Sequence, residues 1–121
     1  PGFYLMSLEE SIQTYQEFRK TSTWNQCWFP IFANGGGDFY AVNLAIEAQG
    51  EMIGYYIYEE EPQIEYNSLE SMLQTFKECY KQGIIFQNEQ GYLDMDYRKH
   101  AEIAHELNPD LKIWLEFLKE T

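Results

Sequence analysis

Apolar residues recur along this chain with two different periods, and the periods divide it into strands and helices. Leu8, Ile12, Tyr15 and Phe18 fall at helical spacing, which predicts a helix from Leu8 to about Arg19. Ser7 and Glu10 stand before it as a capping box. Leu69, Met72, Leu73, Phe76 and Tyr80 give the apolar face of a second helix, about 69–82, with Ser68 as its N-cap and Gly83 as its C′ residue. A third helix, capped by Asp94 or Asp96, runs to about Leu107, where Asn108-Pro109 breaks it. A last helix carries Leu111, Trp114, Leu115 and Leu118. Between these lie short runs rich in aromatic and β-branched residues: Gly2 to Met6, Trp28 to Ala33, Phe39 to Leu44, Met52 to Tyr58, and Ile64 to Tyr66. These read as strands. Gly54 inside the fourth run marks a bulge or a close backbone approach.

The two central runs are joined by Asn34-Gly35-Gly36-Gly37-Asp38, a hairpin signal with a turn longer than two residues. Pro30 cannot donate to a ladder, so its strand is an edge there or carries a bulge. This stretch, with Trp28, Pro30, Ile31, Gly37, Asp38, Tyr40 and Leu44, resembles the signature of the SUKH superfamily: a Trp-x-Pro-Ile strand, a Gly-Asp step, and a strand ending in Asp-Leu. Asn43 stands where the pattern has Asp. The resemblance covers about residues 3 to 82. It implies a domain whose Trp28, Pro30, Ile31, Gly37 and Asp38 are structural; Trp28, on the central hairpin, is expected in the core. It also implies an interaction role: toxin-immunity proteins among bacterial members, regulators of cell-wall glucan synthesis among yeast-like ones. Members of that group usually begin with one or two further helices, which are expected to be missing here or built separately.

A chain of 121 residues suits one domain, 1–121, with a core of its own. Eight basic against 20 acidic residues give a formal net charge of −12. That balance disfavours nucleic acid as a partner, since phosphates need a basic footprint. It fits either plain solubility or a basic protein partner. No apolar run approaches the roughly 20 residues of a membrane helix. Cys27 and Cys79 are expected to be free, buried thiols in a reducing compartment.

Several constellations invite chemistry and are better read as structure. Gly35-Gly36-Gly37-Asp38 lacks the Lys-Ser/Thr of a phosphate loop and precedes a strand. Asp94 and Asp96 lack the remaining ligands of a calcium loop. His100 and His105 are five apart on a helix and diverge too far to share a metal. No motif pairs Cys27 with a base. No catalytic, metal or cofactor site is therefore expected, and the chain is not expected to be an enzyme. The acidic run Glu59-Glu60-Glu61, with Tyr58 before it and Tyr66 beyond, is the one site candidate: exposed tyrosines among carboxylates suit an interface with a basic protein.

The expected fold is α+β, SUKH-like, an antiparallel sheet of about four strands with helices packed on one face. The expected function is a cytoplasmic, non-enzymatic module that binds a basic protein, such as a toxin domain. A regulatory domain, or a small-ligand domain with a tyrosine-lined pocket between sheet and helices, is the alternative. Oligomeric state is left open.

Overall fold

Local signals set most element boundaries. The computed structural model describes residues 2–21, 23–59 and 61–120. Ser7 accepts a hydrogen bond from the Glu10 backbone N–H and starts α1, Leu8–Phe18. Ser68 does the same for Ser71 at the head of α2, Leu69–Lys81. Asp96, rather than Asp94, caps α3, Tyr97–Leu107, through the Lys99 N–H. α4 spans Lys112–Glu120. Gly83, at φ +72°, follows α2 in a Schellman arrangement: Ile84 N–H donates to Cys79 and Gly83 N–H to Tyr80.

The fold is α+β. Among the described residues, five antiparallel strands lie in sequence order: β1 (Tyr4–Leu5), β2 (Trp28–Ala33), β3 (Phe39–Asn43), β4 (Met52–Tyr55) and β5 (Gln63–Tyr66). β6 (Ile85–Gln87) and β7 (Leu93–Met95) form a separate two-stranded ribbon, which the hydrophobic pattern along the chain does not announce. Three residues per strand are too few to show a period of two.

The β2–β3 turn uses its glycines and its asparagine differently. Gly35 and Gly37 take positive φ. Asn34 instead accepts from Gly36 N–H and Asp38 N–H with its side chain, an Asx turn. Asp38 then accepts from Ile57 N–H at 2.9 Å, tying this turn to the one after β4. A Cβ on Gly37 would press on the Ile57 side chain. β4 therefore ends at Tyr55, three residues sooner than its apolar run predicts. Beside Pro30, β2 carries a register shift that leaves Ile31 as the extra residue.

Alternation along β3 and β4 sends Tyr40, Val42 and Met52 to one face of the sheet and Phe39, Ala41 and Ile53 to the other. The first face carries the main core, where Tyr40, Met52 and Tyr66 meet Met72, Ala101, Ala104 and Trp114 of α2, α3 and α4. The second face is covered by Trp24 and by Phe18 of α1. The expectation of helices on one face thus holds for α2–α4 and fails for α1. The reason is that Ala41 and Ile53 leave an apolar floor that Trp24 and Phe18 fill.

Two side-chain placements, Trp28 and Cys27, also differ from the sequence reading. Trp28, expected in the core, is half-buried at the rim of that second cluster. Trp24, at 5% exposure, holds its centre and donates its indole N–H to the Trp28 carbonyl. Cys27 is exposed and precedes β2, while Cys79 is fully buried, with its thiol pushed up to about 11 by burial; both are free.

Candidate functional site

β5 departs from plain alternation, and the departure builds the site. Ile53 pairs with Ile64 and Met52 with Tyr66, so Glu65 is the extra residue of a β-bulge. Two consecutive side chains, Glu65 and Tyr66, consequently point inward, while Ile64 stays exposed. Without the bulge, strict alternation would put Glu65 and Tyr66 on opposite faces of the sheet. The bulged Glu65 carbonyl is met by the indole N–H of Trp114 on α4, at 2.7 Å.

Glu65 is 3% exposed and lies against the β4 backbone. A Cβ at Gly54 would overlap its carboxylate, so the glycine makes room for it. Tyr40 donates its hydroxyl proton to Glu65 Oε1 at 3.0 Å. That leaves the Tyr40 oxygen to accept from Tyr56, 2.9 Å away. Both hydroxyls favour an ionised carboxylate, yet removal from water outweighs them, and Glu65 is pushed up to about 7, with the nearby Glu59 charge adding to the effect. Burial and the Glu65 charge hold the Tyr40 and Tyr56 hydroxyls well above the ordinary tyrosine range.

α3 supplies the opposite tendency. His100 is buried, with Nε2 2.8 Å from the Tyr66 hydroxyl and its ring edge-on to Trp114. Burial pulls its pKa down to about 4, so the ring is neutral at pH 7. These groups open onto a cleft of about 300 Å³ between the sheet and α3–α4, completed by Glu59, Met95, Tyr97, Ile113 and Phe117. Its wall is mostly apolar, with a few converging polar groups, which is the usual make-up of a small-molecule site. A larger groove of about 450 Å³ between α2 and α3 is lined by Lys77, Glu78, Lys81 and Glu106, and no buried polar group points into it.

The acidic run sits beside this cleft. Tyr58 projects into solvent at 95% exposure, and Glu59 and Glu61 are exposed with it; Glu60 lies outside the described residues. Glu59 belongs both to the run and to the cleft wall. Tyr66, read from sequence as part of the same surface, is 0% exposed and is corrected to a core residue. The bulge turns it onto His100 and Phe76. Pro30 is buried, Ile31 packs against the main core, and Gly37 and Asp38 shape the turn pair described above.

Sequence reasoning missed Glu65, Tyr40, Tyr56, His100 and Trp114 as a group. The available signal was a glutamate between Ile64 and Tyr66 together with a glycine in a facing strand. The register that brings Gly54 under Glu65 is absent from the sequence. Among the described residues no three His, Cys, Asp or Glu side chains are placed to hold a metal ion. No described helix is long and apolar enough to cross a membrane. Compared with known proteins, the chain matches no protein-family model and no curated sequence.

Proposed function

We propose that this chain is a non-enzymatic protein-interaction module of the SUKH type, acting in the cytoplasm. Its role is to bind and neutralise a basic partner such as a toxin domain; regulation of the glucan-synthesis-regulator kind is the alternative within the same resemblance. The observation that carries this reading is the turn after β4. It presents Tyr58 beside the exposed carboxylates of Glu59 and Glu61 on a chain of net charge −12. Asp38 and Gly37 brace that turn from below, so its side chains are offered at modest entropic cost. Exposed like charges attract an oppositely charged partner over about a Debye length, and they act mainly on association. The test replaces Glu59, Glu60 and Glu61 with Gln and measures association with a partner isolated by co-purification and then purified. Slower association with a weaker salt dependence is expected. A wild-type on-rate and salt slope would place the interface elsewhere.

A second reading, a small-ligand-binding domain, is supported by the cleft itself. It holds a buried carboxylate, two linked tyrosine hydroxyls and a neutral histidine in an aromatic wall. Saturable binding of a small molecule that Glu65→Gln abolishes is the measurement that decides it.

A further inference from the structure

We infer that the cleft between the sheet and α3–α4 binds an organic ammonium ion carrying a short apolar or aromatic body. The inference rests on the reading of the cleft as a ligand site and names the class of ligand.

Charge is the first argument. The charged side chains on the cleft wall are Glu59 and Glu65, with no lysine or arginine among the lining residues. His100 is neutral at pH 7. Among the described residues no cation ion-pairs with Glu65, although it is 3% exposed. A buried carboxylate without a counter-charge is costly, and a bound cation relieves that cost. An anion would meet two carboxylates in the field of a chain of net charge −12.

Shape and wall chemistry give the rest of the ligand. Tyr56, Tyr97, Trp114 and Phe117 line the same cleft as Glu65. Aromatic faces attract an ammonium group, more strongly once water is excluded. Met95 and Ile113 supply apolar contact for a carbon body. A volume of about 300 Å³ is at the small end of ligand sites, which suits a molecule of roughly ten heavy atoms. Such an ammonium comes either from a free amine or from a lysine side chain of a basic partner.

The cation needs Glu65 ionised. The groups facing that carboxylate are Tyr40 from β3, Tyr56 and Glu59 from the turn after β4, His100 from α3 and Trp114 from α4. Beside the two tyrosines, whose hydroxyls are held well above the ordinary range, the titratable neighbours are Glu59 and His100. His100 is already neutral above about 4. Binding should therefore strengthen as pH rises through about 7, where Glu65 loses its proton.

The test is calorimetric titration of the full chain at pH 8 with 2-phenylethylammonium and with Nα-acetyl-lysine methylamide. 2-Phenylethanol and phenylacetate serve as neutral and anionic counterparts. Saturable binding of either ammonium is expected, and the preferred one names the source. The alcohol should bind at least about tenfold more weakly, and phenylacetate should not bind. Moving from pH 8 to pH 6 should weaken ammonium binding about tenfold, following the ionised fraction of Glu65. Glu65→Gln should lower affinity at least about tenfold at pH 8 and remove that pH dependence. Tyr97→Ala, at an exposed position on the rim, should weaken binding several-fold without disturbing the core. If the alcohol or phenylacetate binds as tightly as the ammonium ions, the cation assignment is wrong and the cleft remains a ligand site. If no probe binds, both the assignment and the ligand-site reading fail. Undiminished ammonium binding by a folded Glu65→Gln protein also overturns the assignment.

Discussion

The indole N–H of Trp114 donates to the main-chain carbonyl of Glu65 at 2.7 Å, joining the last helix to the bulge of the last strand of the main sheet. The bulge takes Glu65 out of the β4–β5 ladder, and α4 supplies the indole that its carbonyl accepts from. The same indole closes the cleft beside His100. Replacing it by Phe keeps an aromatic ring and removes the donor. Trp114→Phe should lower stability by about 1–3 kcal/mol, the cost of stranding a buried acceptor. Chemical denaturation measures it, and an unchanged midpoint would mean that solvent reaches the Glu65 carbonyl.

Glu65 should make stability fall as pH rises. Its pKa is near 4.5 when unfolded and about 7 when folded, so the folded state holds the proton more tightly. Nothing is lost below about 4.5; the penalty grows through the window up to 7 and reaches about 3 kcal/mol above it. Glu65→Gln removes a penalty that is present at pH 8 and absent near pH 4.5. The variant should therefore melt higher than wild type at pH 8 and close to it near pH 4.5. Thermal melts across that range check the sign.

His100 carries the opposite slope. Its pKa is near 6.5 unfolded and about 4 folded, so stability is full above 6.5 and falls as pH drops towards 4. Between about 4.5 and 6.5 the two groups offset each other in the wild type. Removing one exposes the other. Glu65→Gln should show a melting temperature that drops steadily from pH 6.5 to 4, whereas the wild type stays nearly flat from this pair. A wild-type curve as steep as the variant's would contradict the offset.

Gly54 and the Glu65 carboxylate compete for the same space. Gly54→Ala should destabilise by about 1–3 kcal/mol, because the added methyl displaces the carboxylate from its place over β4. Cutting back Glu65 makes room for that methyl. The double variant Gly54→Ala, Glu65→Ala should lose less than the sum of the two single changes. A double-mutant cycle reads the coupling directly, and strict additivity would deny the contact.

The second face of the sheet depends on Trp24 more than on Trp28. Trp24 packs on Phe18, Trp28 and Tyr55 with ring centroids 4.5–5.5 Å apart. Trp24→Ala should cost about 3–5 kcal/mol, the range for a buried tryptophan. Trp28→Ala, at a half-buried rim position, should cost clearly less. The reverse order in denaturant would restore Trp28 to the centre of the cluster.

What the sequence determined by itself were features decided within a few neighbouring residues. Ser7, Ser68 and Asp96 each cap a helix within three residues, and Gly83 ends one, so helix limits were legible. Asn34 to Asp38 announced a hairpin, Pro30 an edge or a bulge, and Gly54 a bulge or a close approach; each is a signal carried by one or a few neighbouring residues. The four helices and the main strands therefore followed from pattern alone. Only the tertiary structure decided which way the side chains of β5 face, because a bulge is a mismatch between two strands and neither strand encodes it alone. That one extra residue buried Glu65 and Tyr66 together, removed Tyr66 from the surface, and brought β3, β4, β5, α3 and α4 around a single carboxylate. Burial then set the charges. Glu65 and His100 look ordinary in sequence, and their shifted proton affinities arise from a desolvation that only the packed helices impose.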